Sequence, residues 1–231
     1  MPDNHSTSES ALACADVWKV FRSGRAIVKA VQNASLTVQR GEVVCLRGPS
    51  GSGKSTLLSM MGGLERPTKG EISGLGKLYS QLTMFELSEL RRRFFGFVFQ
   101  ELSLIPHLTA AENLVAPRLF QGFPRKLLTQ QGEKLLEMVG LSHRATHYPR
   151  ELSYGERQRV AIGRALANDP SIVFADEPTA NLDNANVERL ARVIEGLRMK
   201  RVTVLMVTHD NRIEGVASRF FSMNDGVLSE D

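Results

Sequence analysis

The octapeptide Gly48-Pro49-Ser50-Gly51-Ser52-Gly53-Lys54-Ser55 follows the pattern G-x-x-x-x-G-K-[ST]. Its glycines let successive backbone N–H groups turn inward and wrap a phosphate. Lys54 is placed to reach the β and γ phosphates of a nucleotide, and the Ser55 hydroxyl to hold Mg2+. As a bare string this could be a Gly/Ser-rich turn. Its context argues otherwise, because it follows the apolar run Glu42–Arg47 and opens a helix-forming stretch, Lys54–Met61. A metal also needs an acidic partner, and Ile172-Val-Phe-Ala-Asp-Glu177 supplies one: an apolar strand ending in two carboxylates. Asp176 suits Mg2+ through water, and Glu177 suits the removal of a proton from an attacking water. A third stretch, Leu152-Ser153-Tyr154-Gly155-Glu156, precedes the apolar positions Val160, Ile162, Ala165 and Leu166. It reads as a helix N-terminus with a Ser hydroxyl, which is an anion site. Tyr154 is a large residue where small ones would let a phosphate come closest.

The elements that must position these residues follow from patterning. Ala11–Phe21 and Ala34–Val38 read as strands separated by a turn at Ser23-Gly24, and Glu42–Arg47 as a buried strand between Gly41 and Gly48. Gly62-Gly63 ends the helix Lys54–Met61. Residues 64–82 read as short strands and Gly-rich turns. Glu86–Arg93 is amphipathic, Gly96–Phe99 a short strand, and Ala110–Val139 helical with interruptions at Pro117 and Pro124. Glu151–Leu166 is a helix, Ser171–Ala175 a strand, Asn184–Lys200 a helix and Val202–Val207 a strand. Phe220–Met223 and Gly226–Leu228 read as a closing hairpin. A β-rich start, then strand–helix alternation with a helical stretch between, predicts an α/β core carrying an all-α subdomain near residues 86–160.

Bulk properties set limits. The 231 residues suffice for a sizeable core, and 42% hydrophobic with 23% charged is ordinary for a globular chain. A net charge of +4 is a weak hint of anionic partners. The two cysteines, Cys14 and Cys45, form neither a disulfide framework nor a zinc site, which fits a reducing cytosolic compartment; Cys45 reads as a small buried hydrophobe. Residues 1–10 are polar, without the apolar core of a signal peptide, and read as a disordered tail. No apolar run approaches the length of a membrane helix, so any membrane association is expected to run through a partner.

With these residues in view, the chain resembles the nucleotide-binding subunit of an ATP-binding-cassette (ABC) transporter. Gly48–Thr56 resembles that family's Walker A, Ile172–Glu177 its Walker B, and Leu152–Glu156 its signature, usually LSGGQ. Ala180-Asn-Leu-Asp183 resembles the D-loop, Gln100 after Gly96-Phe-Val-Phe the Q-loop, and Thr208-His209-Asp210 the switch histidine. The order and spacing agree from about residue 11 to 229. The resemblance implies a P-loop NTPase core of α/β type with an antiparallel β subdomain and an inserted helical subdomain. It implies ATP and Mg2+ as cofactors, with Ser55, Gln100 and Asp176 at the metal. ATP contacts would run through Gly48, Pro49, Ser50, Gly51, Ser52, Gly53, Lys54, Ser55 and Thr56. Two copies would pair head to tail, so that Ser153, Tyr154, Gly155 and Glu156 of one copy meet the γ-phosphate held by the other. Glu177, His209 and Gln100 would be catalytic: His209 holds Glu177 and water, and Gln100 senses Mg2+ and water. Asp183 would tie the two sites together. Phe21, 33 residues before Lys54, lies where the family stacks an aromatic on adenine; an aromatic at a strand end is otherwise often core.

Gly96–Gln100, Leu108–Asn113, Gly140–Arg144 and Ala175–Asp183 resemble in particular the branch of lipoprotein-release (LolD), macrolide-export (MacB), haem-efflux and cell-division ATPases. That implies a permease of few membrane helices, in two copies, and an ATPase peripheral to the cytoplasmic face of the inner or plasma membrane. It further implies export or extraction of a hydrophobic or amphipathic substrate. The loop Glu101–His107 is where the family docks its permease; Leu102, Leu104, Ile105 and Pro106 fit a docking surface, and fit ordinary packing equally well.

Tyr154 replaces the first signature Gly and Glu156 the Gln, while Ala180 stands where the branch often has Gly. An N–H donor at 154 needs no glycine if φ is negative, as at a helix start. His143 and His147 are spaced like a metal pair on a helix, yet lie in a loop-like segment that reads as a solvated turn. Arg91-Arg92-Arg93 with Phe94-Phe95 reads as a helix end whose arginines face water or the permease while the Phe pair packs, and Met60, Met61 and Met84 read as core filler.

Two rivals remain. A non-transport cassette ATPase, acting mechanically or on DNA or ribosomes, usually carries coiled-coil insertions or two cassettes; here 122 positions separate Lys54 from Asp176 and there is one cassette. No nucleic acid is therefore expected. A small-molecule kinase leaves the signature and His209 without a role.

Overall fold

The computed structural model describes residues 10–24, 26–119 and 121–231. Two long antiparallel strands open the chain, β1 (Ser10–Ser23) and β2 (Ala26–Gln39). The expectation of a tail over residues 1–10 lies outside the described residues except for Ser10, which begins β1. β2 starts eight residues earlier than its apolar pattern suggests, because its first four residues are exposed and Val31 is the one buried residue before Ala34, too little to make an alternating pattern. β4 (Lys69–Gly74) and β5 (Lys77–Leu78) complete a four-stranded antiparallel sheet in the order β2-β1-β4-β5.

The second sheet contains β3 (Val43–Arg47), β6 (Phe95–Val98), β7 (Ile172–Asp176), β8 (Thr203–Val207), β9 (Arg219–Asn224) and β10 (Val227–Glu230). Its order is β10-β9-β3-β8-β7-β6, parallel throughout except for the β9–β10 hairpin. β6 lies inside the stretch expected to be a helical insertion and serves as the edge of this sheet. The central strands read as unbroken apolar runs because both faces are covered. Side-chain alternation then divides each strand between two cores. Val44 and Leu46, Ile172 and Phe174, and Leu205 and Val207 enter one, shared with the antiparallel sheet and α1 (Lys54–Met61). Val43 and Cys45, Val173 and Ala175, and Val204 and Met206 enter the other. The second core lies beneath α3 (Ala110–Leu119), α4 (Arg125–Met138), α5 (Tyr154–Ala165) and α6 (Asn184–Met199).

Several local expectations change. Pro117 does not interrupt a helix; it sits in the last turn of α3, whereas Pro124 marks the start of α4. Met60 and Met61 are core residues, but Met84, at the first position of α2 (Met84–Phe94), is 64% exposed: an apolar type alone does not say which face a helix turns inward. Of the Phe pair, Phe95 is buried and Phe94 is not. Arg91 turns inward to donate to the Gly63 carbonyl, while Arg92 and Arg93 pair with Glu89. His143 lies on a 3-10 turn and His147 follows it, with its Nε2 3.2 Å from Arg144; among the described residues no group of three or more His, Cys, Asp or Glu is gathered as a metal site. No described helix is long and apolar enough to cross a membrane.

Candidate functional site

Strand polarity gathers the chemistry at one edge. β3, β6, β7 and β8 are parallel, so Gly48, Gln100, Asp176 with Glu177, and His209 all follow the carboxyl ends of neighbouring strands. Open α/β sheets bind ligands at that edge.

The loop after β3 has a conformation that glycine alone tolerates well. Gly48, Gly51 and Gly53 have φ of 133°, 78° and 103°. A Cβ on Gly48 would lie 2.1 Å from the Met223 carbonyl oxygen, and one on Gly53 2.0 Å from that of Ala30. The loop is therefore seated between β2 and β9, which its own sequence does not disclose. Gly53 caps α1 without a side-chain acceptor, so first-turn N–H groups of α1 are left for a ligand, and no acidic residue stands in that turn. The Lys54 ammonium is buried and donates to the carbonyls of Gly48 (2.9 Å) and Pro49 (2.7 Å).

The Ser55 hydroxyl donates to Asp176 Oδ1 at 3.0 Å, joining the two expected metal-binding positions across 121 residues. Burial raises the Asp176 carboxyl above the usual range; the Ser55 hydrogen bond opposes this, the Glu177 charge adds to it and Lys54 opposes it again. Next along the chain, Glu177 has φ of 46°, a conformation costing a non-glycine residue about 1–2 kcal/mol. Two backbone bonds offset this: Glu177 N–H donates to Val207 O and Ala180 N–H to Glu177 O. The twist brings Glu177 Oε1 to 3.0 Å from His209 Nδ1. Glu177 Oε2 is buried with no partner among the described residues, so an acceptor is left at the strand edge.

Gln100 is exposed, two residues beyond Val98, whose register partner in β7 is Ala175. Phe21 is 42% exposed, opposite Val28 in the β1–β2 ladder, two residues before Ala30, whose carbonyl oxygen abuts Gly53 of the loop; Lys19 Nζ lies 5.0 Å from its ring.

The signature-like residues are organised differently. Ser153 caps α5 in a capping box: its Oγ accepts from Glu156 N–H, and Glu156 Oε2 accepts from Ser153 N–H. Glu156 also pairs with Arg144 at 2.8 Å. Among the described residues, neither Ser153 nor Glu156 hydrogen-bonds with residues 48–56. The Tyr154 ring, at the first helical position, faces the Arg157 guanidinium at 5.8 Å. Asp183 caps α6 by accepting from Asn186 N–H.

Sequence reasoning overlooked the residues that hold this frame. Asn113 is fully buried: it accepts from Ile105 N–H and donates to the carbonyls of Ile105, Leu108 and Thr109. Arg164 donates to the carbonyls of Leu102 and Ser103. Together they fix the loop after Gln100 beside a groove of about 660 Å³ lined by Phe95, Phe97, Phe99, Ile105 and Arg164. Gln158 on α5 donates to the Pro178 carbonyl, next to Glu177.

A family model described as ABC transporter matches residues 31–180. The lipoprotein-releasing system ATP-binding protein LolD of Aquifex aeolicus is 45% identical over 93% of this chain and 96% of its own length. The macrolide export ATP-binding/permease protein MacB of Chlorobaculum tepidum is 42% identical over 94% of this chain, which spans 33% of that longer protein. Among solved structures, the ATP-binding cassette MJ0796, as a dimer in a post-hydrolysis state bound to ADP and Pi, superposes with a TM-score of 0.91 at 38% identity, covering 95% of this chain and 97% of that one.

Proposed function

Because the chain belongs to the ABC transporter family, whose cassettes are ATPases, we propose that it hydrolyses Mg·ATP between two copies of itself and so drives a membrane permease. Pairing in the MJ0796 cassette supports the two-copy arrangement. The phosphates lie against the N–H groups of residues 51–56, and Lys54 exchanges its carbonyl partners for the β and γ phosphates. Ser55 and Asp176 present hard oxygen donors 3.0 Å apart, a donor set that fits Mg2+. When bound, that ion neutralises charge on the β- and γ-phosphate oxygens. Glu177 accepts the proton of the attacking water, and His209 keeps the Glu177 carboxylate aimed at it. Ser153, Tyr154, Gly155 and Glu156 of the second copy close over the γ-phosphate; Gln100 senses the metal and Asp183 meets the opposite copy. Phe21 stacks on adenine, its exposed ring on the β1–β2 ribbon whose Ala30 carbonyl abuts Gly53 supporting that reading.

The single observation that carries the reading is the Glu177–His209 pair standing beside the Ser55–Asp176 pair at one sheet edge. Glu177→Gln is expected to retain ATP, to form a dimer with it, and to lose at least about a hundredfold in turnover. Light scattering and steady-state ATPase assays would show this; near-normal turnover would overturn the assignment.

The aromatic groove beside the loop 101–107 receives the permease, whose docking segment is expected to be apolar. The kinship with LolD and MacB supports a peripheral position on the cytoplasmic membrane face, and work on a hydrophobic or amphipathic substrate moved outward. Co-purification of a MacB- or LolC-like membrane protein tests this; a permease of the importer type would refute it.

A further inference from the structure

Residues 208–212, which carry His209, run beside residues 177–184, which carry Glu177 and Asp183. Among the described residues Asp210 hydrogen-bonds with Thr179, and three further ties join the two segments. One is the Glu177–His209 contact. Another is a hydrogen bond between the buried hydroxyls of Thr179 and Thr208 at 3.1 Å; Thr208 Oγ1 also accepts from Asp210 N–H. The third is made by one side chain, Arg212. Its Nε donates to Asp210 Oδ1 (2.9 Å) and its Nη2 to Asp210 Oδ2 (2.7 Å), a two-point fork. The same guanidinium reaches across to the other segment. Nη1 donates to Asn184 Oδ1 at 2.6 Å, and both terminal nitrogens approach Leu182 O, at 3.4 and 3.3 Å. Its acceptors thus flank Asp183 on one segment and follow His209 on the other.

His209 needs such help. Its side chain is 77% exposed, so packing does little to fix the ring. Its direction depends on the backbone beside it, which Asp210 and Arg212 pin. We propose that Arg212 is a positioning residue for ATP hydrolysis: it keeps the backbone after His209 in register with residues 182–184, so that the imidazole stays on Glu177. This rests on the reading in which Glu177 and His209 act on the attacking water. Lysine cannot take the place of Arg212, because a single ammonium cannot fork onto a carboxylate and also bridge two further acceptors.

The test compares wild type, Arg212→Ala, Arg212→Lys, His209→Ala and the Arg212→Ala/His209→Ala double variant. Single-turnover ATP hydrolysis, affinity for a fluorescent ATP analogue and thermal melting are measured for each. Arg212→Ala is expected to hydrolyse about tenfold more slowly, as a misplaced catalytic group would. Its nucleotide affinity stays within about twofold, Arg212→Lys gives no rescue, and the change adds less than about twofold in the His209→Ala background. Wild-type hydrolysis by Arg212→Ala overturns the proposal, as does an equal slowing in both backgrounds. Should Arg212→Ala fold poorly, Asn184→Ala removes one acceptor only and is expected to hydrolyse about threefold more slowly with melting unchanged; a wild-type rate there overturns the proposal. A wild-type rate in His209→Ala removes the underlying reading as well, whereas a slow His209→Ala beside a normal Arg212→Ala removes the clamp alone.

Discussion

Single residues at the strand edge fall into those whose type announces them and those whose setting does. Gly48, Lys54 and Ser55 were legible because a contiguous string encodes their geometry. Glu177 was legible from its place after an apolar strand, but not its positive φ; its contact with His209, 32 residues away, was expected only through the family resemblance, because no local pattern contains it. Arg212 gave no signal, since it uses backbone and amide acceptors about thirty residues distant that no local pattern contains. The glycines carry a separate prediction. Gly53→Ala would set a Cβ against the Ala30 carbonyl in a left-handed backbone conformation. Strain of about 1–2 kcal/mol and overpacking of about 1–3 kcal/mol should together lower stability by about 2–5 kcal/mol. Urea unfolding reads this directly; an unchanged midpoint would mean that β2 can retreat from the loop.

Among the elements, α1 was read to the residue because glycines bound it on both sides. The long β2 ribbon and Pro117 were misread for the opposite reason: the start of β2 is exposed and shows no apolar pattern, and α3 continues for only two residues past Pro117, so the proline shapes the end of the helix without dividing it. The capping box of α5 makes Glu156 a structural residue whatever it does for a nucleotide. Backbone donation from Ser153, then its hydroxyl and the Arg144 charge, hold the Glu156 carboxyl below its usual range despite some burial. A carboxylate whose affinity for protons falls on folding stabilises the fold above its unfolded value, and that help is lost as pH drops through the lowered folded value. Glu156→Gln, which can keep the capping box but not its charge, should therefore cost about 0.3–1 kcal/mol near neutral pH. The gap between the two urea midpoints should close on acidification below about pH 4. A gap independent of pH would show that the carboxylate charge is irrelevant to the cap.

For the molecule as a whole, strand–helix alternation identified the fold class, yet how one sheet serves two cores emerges only when strand order is known. Alternate residues of β3 enter different cores, so Val44 and Cys45 are neighbours in sequence and strangers in packing. The same arrangement buries both cysteines: Cys14 lies in one core, where burial pushes its thiol up to about 12, and Cys45 lies fully enclosed in the other. Thiolate chemistry is thereby silenced throughout the native chain. A maleimide or disulfide reagent at neutral pH should count no thiol in the folded protein and both after denaturation; rapid native labelling would reveal that a core opens. The protein thus comes ready for site-directed labelling, with nothing to delete. A cysteine placed at Met199, exposed at the end of α6, would be the one reactive handle per copy, and a dye pair attached there would turn the approach of two copies into a distance readable in real time.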